Sequence, residues 1–186
     1  LLACFILPAS AQNSWGIDVG GGLFSKSLSR DARFSLGGYA GGMYDVHVKN
    51  SWYVQPQLLF TYEEFRSKTR LGTDSFFSKF NLELPILASY NVALNNKWNL
   101  RINAGPYLSY AMFGRDKSID YAYGNGMHSS LGWWHQDFPD HFTYGGRAGV
   151  SLESEHFIYT IDGKCSLRKR PFGQSVSLSA GVGYKF

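Results

Sequence analysis

The chain has 186 residues, with 5 Trp, 12 Tyr, 14 Phe and 21 Gly, only 17% charged residues and a net charge of +4. So many aromatics and so few charges exclude a disordered chain, and abundant Gly, Tyr, Phe and Ser argue against a helical bundle. No run reaches the ~20 apolar residues of a spanning helix, and the mild charge does not select nucleic acid as a partner. The mean hydropathy of −0.21 suits a water-soluble protein. It suits a transmembrane β-barrel equally well, because apolar and polar residues alternate there and average out.

Residues 1–11 read as a truncated secretory signal, an apolar run ending in the small residues Ala9-Ser10-Ala11 before Gln12. The mature domain is then 12–186. Two other readings stay open: a lipobox at Leu1-Leu2-Ala3-Cys4, and a native buried segment. If Cys4 leaves with the signal, Cys165 stands alone and no internal disulfide can form.

Period-two alternation recurs through the rest of the chain, where a helix would scatter both sets of residues round its circumference. In strand one, Trp15, Ile17, Val19 and Leu23 oppose Gly16, Asp18, Gly20 and Gly22. In strand two, Leu36, Ala40, Tyr44 and Val46 oppose Gly37, Tyr39, Asp45 and His47. Strand three sets Trp52, Val54, Leu58 and Phe60 against Gln55, Gln57, Leu59 and Glu63. Strand four sets Phe80, Leu84, Ile86 and Tyr90 against Lys79, Asn81, Glu83 and Ser89. Strand five sets Trp98, Leu100, Ile102, Leu108 and Met112 against Arg101, Asn103 and Ser109. Strand six sets Phe142, Tyr144, Ala148 and Val150 against Arg147, Ser151 and Glu153. Strand seven sets Phe157, Tyr159, Ile161 and Cys165 against Asp162, Lys164 and Ser166. The last strand begins near Phe172 and sets Val176, Leu178, Val182, Tyr184 and Phe186 against Ser177, Ser179 and Lys185.

Eight strands is an even number, and their connections alternate in length. The links near Lys49-Asn50, over Ala93–Asn96 and over Ser154–His156 are short. Those near Ser25–Arg33, Arg66–Ser75, Gly114–His141 and Arg168–Pro171 are longer. This is the layout of an all-β, eight-stranded antiparallel transmembrane β-barrel, with both termini on the short-turn side.

A soluble barrel would alternate too, with its apolar face inward. Three features place the apolar face outward. The polar face carries charges of both signs (Asp18, Asp45, Glu63, Glu83, Arg101, Arg147, Glu153, Asp162 and Lys164) among Gly, Ser and Asn, as a packed interior of paired charges requires. Aromatics gather at strand ends. The chain reads as exported and ends in Phe. Pro56, Pro85 and Pro106 fall within strands, and a closed barrel has no free edge to excuse them. Each is expected at a bulge or a locally widened ladder.

The segments PQLLFTY (Pro56–Tyr62), LELPILASY (Leu82–Tyr90), GPYLSY (Gly105–Tyr110) and SAGVGYKF (Ser179–Phe186) resemble the outer-membrane β-barrel domain family often labelled porin family or PorT-like, similar to the OmpA and OmpX barrels. The likeness covers nearly the whole mature chain. It implies a Gram-negative outer-membrane location, and it implies that Tyr184 and Phe186 form the terminal signal read by the barrel-assembly machinery. It implies no particular chemistry.

Eight strands leave an interior that side chains just fill, so a wide pore is not expected. The inward charges read as a salt-bridge plug, with a narrow ion or proton path past Glu83, Arg101 and Arg147 as the other reading. The loop Gly114–His141 holds Tyr121, Tyr123, Trp133, Trp134 and Phe138, too aromatic for plain disorder. It is either an external contact surface or a fold over the barrel mouth. His128, His135 and His141 match no usual zinc spacing. Catalysis on lipid A would need Ser, His and a carboxylate at the outer rim, and His128-Ser129-Ser130 is the one adjacent pair. Arg168-Lys169-Arg170 lies on the outer side under this topology, where it reads either as a contact for lipopolysaccharide phosphates or as a solvated hairpin tip.

The expectation is a non-enzymatic barrel without cofactor or metal, structural or interaction-based. Its expected partners are outer-membrane lipid, lipopolysaccharide, the assembly machinery and an extracellular or secretion-system protein, with no nucleic acid. An accessory role in protein secretion or envelope assembly is the alternative, and a lipid-A-modifying enzyme the third reading.

Overall fold

The structure, a computed structural model, describes residues 13–25, 34–68, 73–120, 130–133, 141–167 and 175–186. Its strands are β1 (Ser14–Ser25), β2 (Phe34–Lys49), β3 (Trp52–Lys68), β4 (Thr73–Ala93), β5 (Asn99–Asp120), β6 (Ser130–Trp133), β7 (Phe142–Glu153), β8 (Phe157–Ser166) and β9 (Val176–Lys185). Each long strand pairs antiparallel with the next, and β9 pairs back onto β1 from Gly16↔Lys185 to Ser25↔Val176. With β5 hydrogen-bonded to both β4 and β7, eight strands close into a barrel. The short β6 stands apart from that ring and, among the described residues, pairs with the outer part of β5, Arg115↔Trp133 to Ser118↔Ser130. Closure leaves no edge within the ring, so the backbone can be satisfied without water.

The alternating residues take opposite faces. Trp15, Ile17, Leu36, Phe60, Ile102, Ile161 and Leu178 point outward and are exposed, while Asp18, Asp45, Glu83, Arg101 and Asp162 are buried inside. Soluble proteins rarely expose so large a continuous apolar surface. Aromatic pairs bound this surface at both ends. Trp15 packs on Tyr44 and Trp52 on Tyr90 at the short-turn end, and Tyr62–Phe80–Phe113 and Tyr110–Phe142 at the other. The span from Trp52 to Tyr62 in β3 rises about 23 Å at a tilt of ~45°, the height of a hydrocarbon band.

Inside, glycines make room for large side chains. A Cβ at Gly181 would lie 2.1 Å from the Tyr39 hydroxyl, and one at Gly20 would lie 2.6 Å from its ring. Tyr39 can lie across the barrel only because both neighbours lack side chains.

The three prolines interrupt the ladders as a widened register requires. No paired rung forms between 44–45 and 55–56, between 57–58 and 84–85, or between 86–87 and 105–106. Each gap holds one proline, Pro56, Pro85 or Pro106, which has no N–H to give. The barrel's register shift in β4–β5 lies elsewhere. Phe80 pairs with Phe113 and Asn81 with Ala111, so Met112 is an extra residue. This bulge turns Met112 and Phe113 outward together.

The short turns are locally built. Asn50 takes a positive φ of 56°, tolerable for Asn, and its carbonyl meets His47 Nε2 at 2.8 Å. Asn95 Oδ1 accepts from the amides of Lys97 and Trp98 at 2.9 and 2.8 Å, a side-chain turn.

Several strand limits differ from the sequence reading. β3 runs on to Lys68, β4 starts at Thr73 and β5 continues to Asp120. The connection read as Arg66–Ser75 narrows to 69–72. The one read as Gly114–His141 begins as seven more residues of paired strand and contains β6. The reading failed there because alternation marks a strand only where its two faces meet different surroundings. Of the last strand, residues 172–174 lie outside the described residues.

Candidate functional site

The barrel interior gathers its charges into two groups. The first lies at the short-turn end and joins four strands. Arg101 Nη1 of β5 meets Asp45 Oδ2 of β2 at 2.7 Å, and its Nη2 lies 2.8 Å from Glu153 Oε2 of β7. Lys185 of β9 reaches the same two carboxylates, Asp45 at 2.6 Å and Glu153 in a short contact. Gln55 Nε2 donates to Asp45 Oδ1 at 2.8 Å, and Gln57 Nε2 donates to Gln55 Oε1 at 2.9 Å. The Arg101 guanidinium sits 5.1 Å from the Tyr53 ring centre.

The second group lies further toward the long-loop end. Lys164 Nζ bridges Glu63 Oε1 and Glu83 Oε2, both at 2.7 Å. Glu63 also meets Lys79 at 2.8 Å. Arg147 holds Asp162 through two hydrogen bonds of 2.9 Å and lies 3.6 Å from Glu83. Ser179 donates to Asp162 at 3.1 Å, and the Tyr39 hydroxyl donates to Asp18 Oδ2 at 3.3 Å. Lys164 also lies over the rings of Phe24 and Tyr107. Desolvated charges are tolerated when paired and hydrogen-bonded.

The structure thus places all nine charged residues read from the polar face inside the barrel and joins eight of them in ion pairs. Asp18 is held by Tyr39 instead. It adds Lys79 and Lys185, which the sequence reading set on the polar face without counting them among the charges. Among the described residues six carboxylates stand against five bases, so the interior they form is close to neutral.

Little space is left between these side chains. Two interior cavities measure about 20 and 10 Å³, room for a water molecule and no solute. Among the described residues no group of three or more His, Cys, Asp or Glu could hold a metal. His141 stacks on Tyr110, and its Nδ1 lies 2.7 Å from the Ala111 carbonyl oxygen.

The second candidate surface lies beyond the long-loop end. There β3, β4 and β5 stay paired past the aromatic band, through Lys68↔Asp74 and Thr73↔Asp120, and β6 adds a fourth strand. Trp133 belongs to β6. Tyr121, Tyr123, Trp134, Phe138, His128, Ser129, His135 and Arg168-Lys169-Arg170 lie outside the described residues. At the opposite end Tyr184 packs on Phe157 and Phe186, and the Phe186 amide donates to the Trp15 carbonyl at 2.9 Å.

A family described as outer membrane protein beta-barrel domain matches residues 10–185. The chain belongs to this outer membrane barrel family. It is a Gram-negative outer-membrane protein, its short turns periplasmic and its longer connections extracellular. Two solved structures, PagL and Neisserial surface protein A, agree on the fold. The outer membrane enzyme PagL superposes with a TM-score of 0.58 at 13% identity, over 90% of this chain and 97% of that one. Neisserial surface protein A superposes with a TM-score of 0.50 at 16% identity, over 94% and 97%. Ail of Yersinia pestis, solved with the heparin analogue sucrose octasulfate, gives 0.47 at 14% identity, over 94% and 99%. Identities this low bear on fold alone. No curated protein matches the chain in sequence.

Proposed function

We propose that this barrel is a structural and interaction protein of the outer membrane, with a plugged interior and an extracellular contact surface. The surface comprises the extended ends of β3–β5, the short β6 and the connection of residues 114–141, with Tyr121, Tyr123, Trp133, Trp134 and Phe138 as contact residues. The observation that carries this reading is the continued pairing of β4 with β5 to Thr73↔Asp120. Anchoring alone needs no strand beyond the hydrocarbon band, whereas a raised sheet holds a loop at a fixed height for a partner. The nine interior charges act as a rigid plug in this reading. Tyr184 and Phe186 serve recognition by the assembly machinery, and Arg168-Lys169-Arg170 meets lipopolysaccharide phosphates.

The test replaces residues 116–139 with a Gly-Ser turn. The variant should still migrate compactly on unboiled gels, while surface crosslinks to a protein partner made by wild-type cells disappear. Unchanged crosslinks in the shortened barrel would refute the contact role. Co-purification of secretion or envelope-assembly components with the full chain would identify the partner as that machinery. The reading is non-catalytic, so His128→Ala and Ser129→Ala should leave lipid A unchanged.

A further inference from the structure

We propose that the barrel holds a built site for one buried water molecule between its two ion-pair groups. The cavity of about 20 Å³ is lined by members of both, Arg101 from the periplasmic group and Asp18, Arg147 and Asp162 from the other. That volume accepts one water. Among the described residues, four polar atoms of its lining have no hydrogen-bond partner: Asp18 Oδ1, Gln57 Oε1, Arg101 Nε and Asn103 Oδ1. All four residues are more than nine-tenths buried. The two aspartates and two arginines leave the lining without net charge, so the occupant is neutral.

The hydrogen-bond directions around the cavity are forced from outside it. The Asp45 carboxylate can only accept, so Gln55 must turn its Nε2 toward it. Gln55 Oε1 then accepts from Gln57 Nε2, which leaves Gln57 Oε1 as an acceptor in need of a donor. Asn103 is free to turn, because its neighbour Ser151 can donate as well as accept, and Ser151 is itself 3.0 Å from the Thr160 hydroxyl. With Oδ1 toward Ser151, Asn103 offers its Nδ2 to the cavity. The count then closes. Water accepts from Arg101 Nε and Asn103 Nδ2 and donates to Gln57 Oε1 and Asp18 Oδ1, the four bonds a water can make. Each of these groups, left bare in a lipid-embedded barrel, would cost the full penalty of an unpaired buried polar atom.

Met43, Leu87 and Ile158 also line the cavity, and their methyl groups serve as probes. The experiment uses the full chain, methyl-labelled, in nanodiscs of deuterated lipid, and records nuclear and rotating-frame Overhauser transfer at the water frequency. Transfer is expected at the Met43 and Ile158 methyls and absent at the lipid-facing Ile102 and Ile161. A dry response at all three lining residues would overturn the site. Exchanging hydroxyls such as Thr160 could mimic the signal, so Gln57→Met and Asn103→Leu are measured alongside. Loss of transfer in whichever variant still migrates as a compact barrel supports the water. Transfer persisting at wild-type strength there assigns it to the hydroxyls and defeats the proposal.

Discussion

Arg147 and Asp162 lie diagonally on adjacent strands, where Arg147 pairs with Lys164 and Asp162 with Gly149, and they share two parallel hydrogen bonds, Nε to Oδ1 and Nη2 to Oδ2, each 2.9 Å. The guanidinium matches the carboxylate as a fork. The same arginine lies 3.6 Å from Glu83, so among the described residues it is the one base that touches both carboxylates. Removing it leaves, among the described residues, Asp162 with Ser179 and Glu83 with Lys164. Arg147→Met should therefore cost about 3–5 kcal/mol, the usual loss when one partner of a buried pair is deleted. Adding Asp162→Leu should recover much of it, because an apolar pair needs no compensating charge. Urea unfolding in detergent measures both, and equal stability of the single variant and wild type would show the plug to be energetically idle.

The outward face predicts a cost that depends on depth. Ile161 lies mid-strand in β8 and is 58% exposed, whereas Trp15 lies at the periplasmic band and is 66% exposed. On solvent exposure alone an arginine would be harmless at either. In lipid, Ile161→Arg should cost about 2–4 kcal/mol and Trp15→Arg about 1 kcal/mol beyond the loss of its ring. Folding titrations into lipid vesicles check this, and equal small costs would argue for water on that face.

Glycines divide by what stands opposite. A Cβ at Gly41 would come within 2.0 Å of the Leu58 carbonyl oxygen and 2.8 Å of Leu59 Cα, both backbone atoms that cannot swing away. One at Gly146 meets nothing within 4 Å. Gly41→Ala should destabilise by about 1–3 kcal/mol, as overpacking does. Gly146→Ala should be neutral or slightly stabilising, since Gly carries the larger backbone entropy cost. The heat-modification midpoint on gels ranks the two.

The ring was legible because lipid and packed interior differ sharply, so each strand inside the band writes its two faces into alternate residues. Trp52 against Tyr53 and Ile161 against Asp162 are such contrasts. Leu59, Leu87 and Ile158 are apolar yet inward. The pattern still held them in phase, because their neighbours on both sides are plainly outward. Outside the band the signal ends. Residues 115–120, Arg-Asp-Lys-Ser-Ile-Asp, have no apolar alternation, and β6 has only four residues. The network's wiring was not legible either. Lys185 joins Asp45 and Glu153 from the far end of the chain, and such pairings follow from barrel closure and register. The Met112 bulge was hidden for a related reason: Met112 and Phe113 are both apolar, so a one-residue change of phase leaves no mark.

Val150 and Ser151 put the orientation of the whole barrel to the test in two neighbouring positions. Val150 is 45% exposed on the outer face, and Ser151 is 3% exposed inside, bonded to Asn103 and near Thr160. With Cys4 and Cys165 replaced by Ser, single cysteines at the two sites meet different media. Val150→Cys should react with a pyrene maleimide that partitions into the acyl phase and resist a sulfonated, membrane-impermeant one. Ser151→Cys should resist both until the barrel is unfolded, because no reagent fits cavities of 10–20 Å³. Mass spectrometry of intact membranes reads the modification at each site. Acyl-phase labelling at 151 with 150 spared would mean that the charged face meets lipid, and the two ion-pair groups would then have to be explained as a surface.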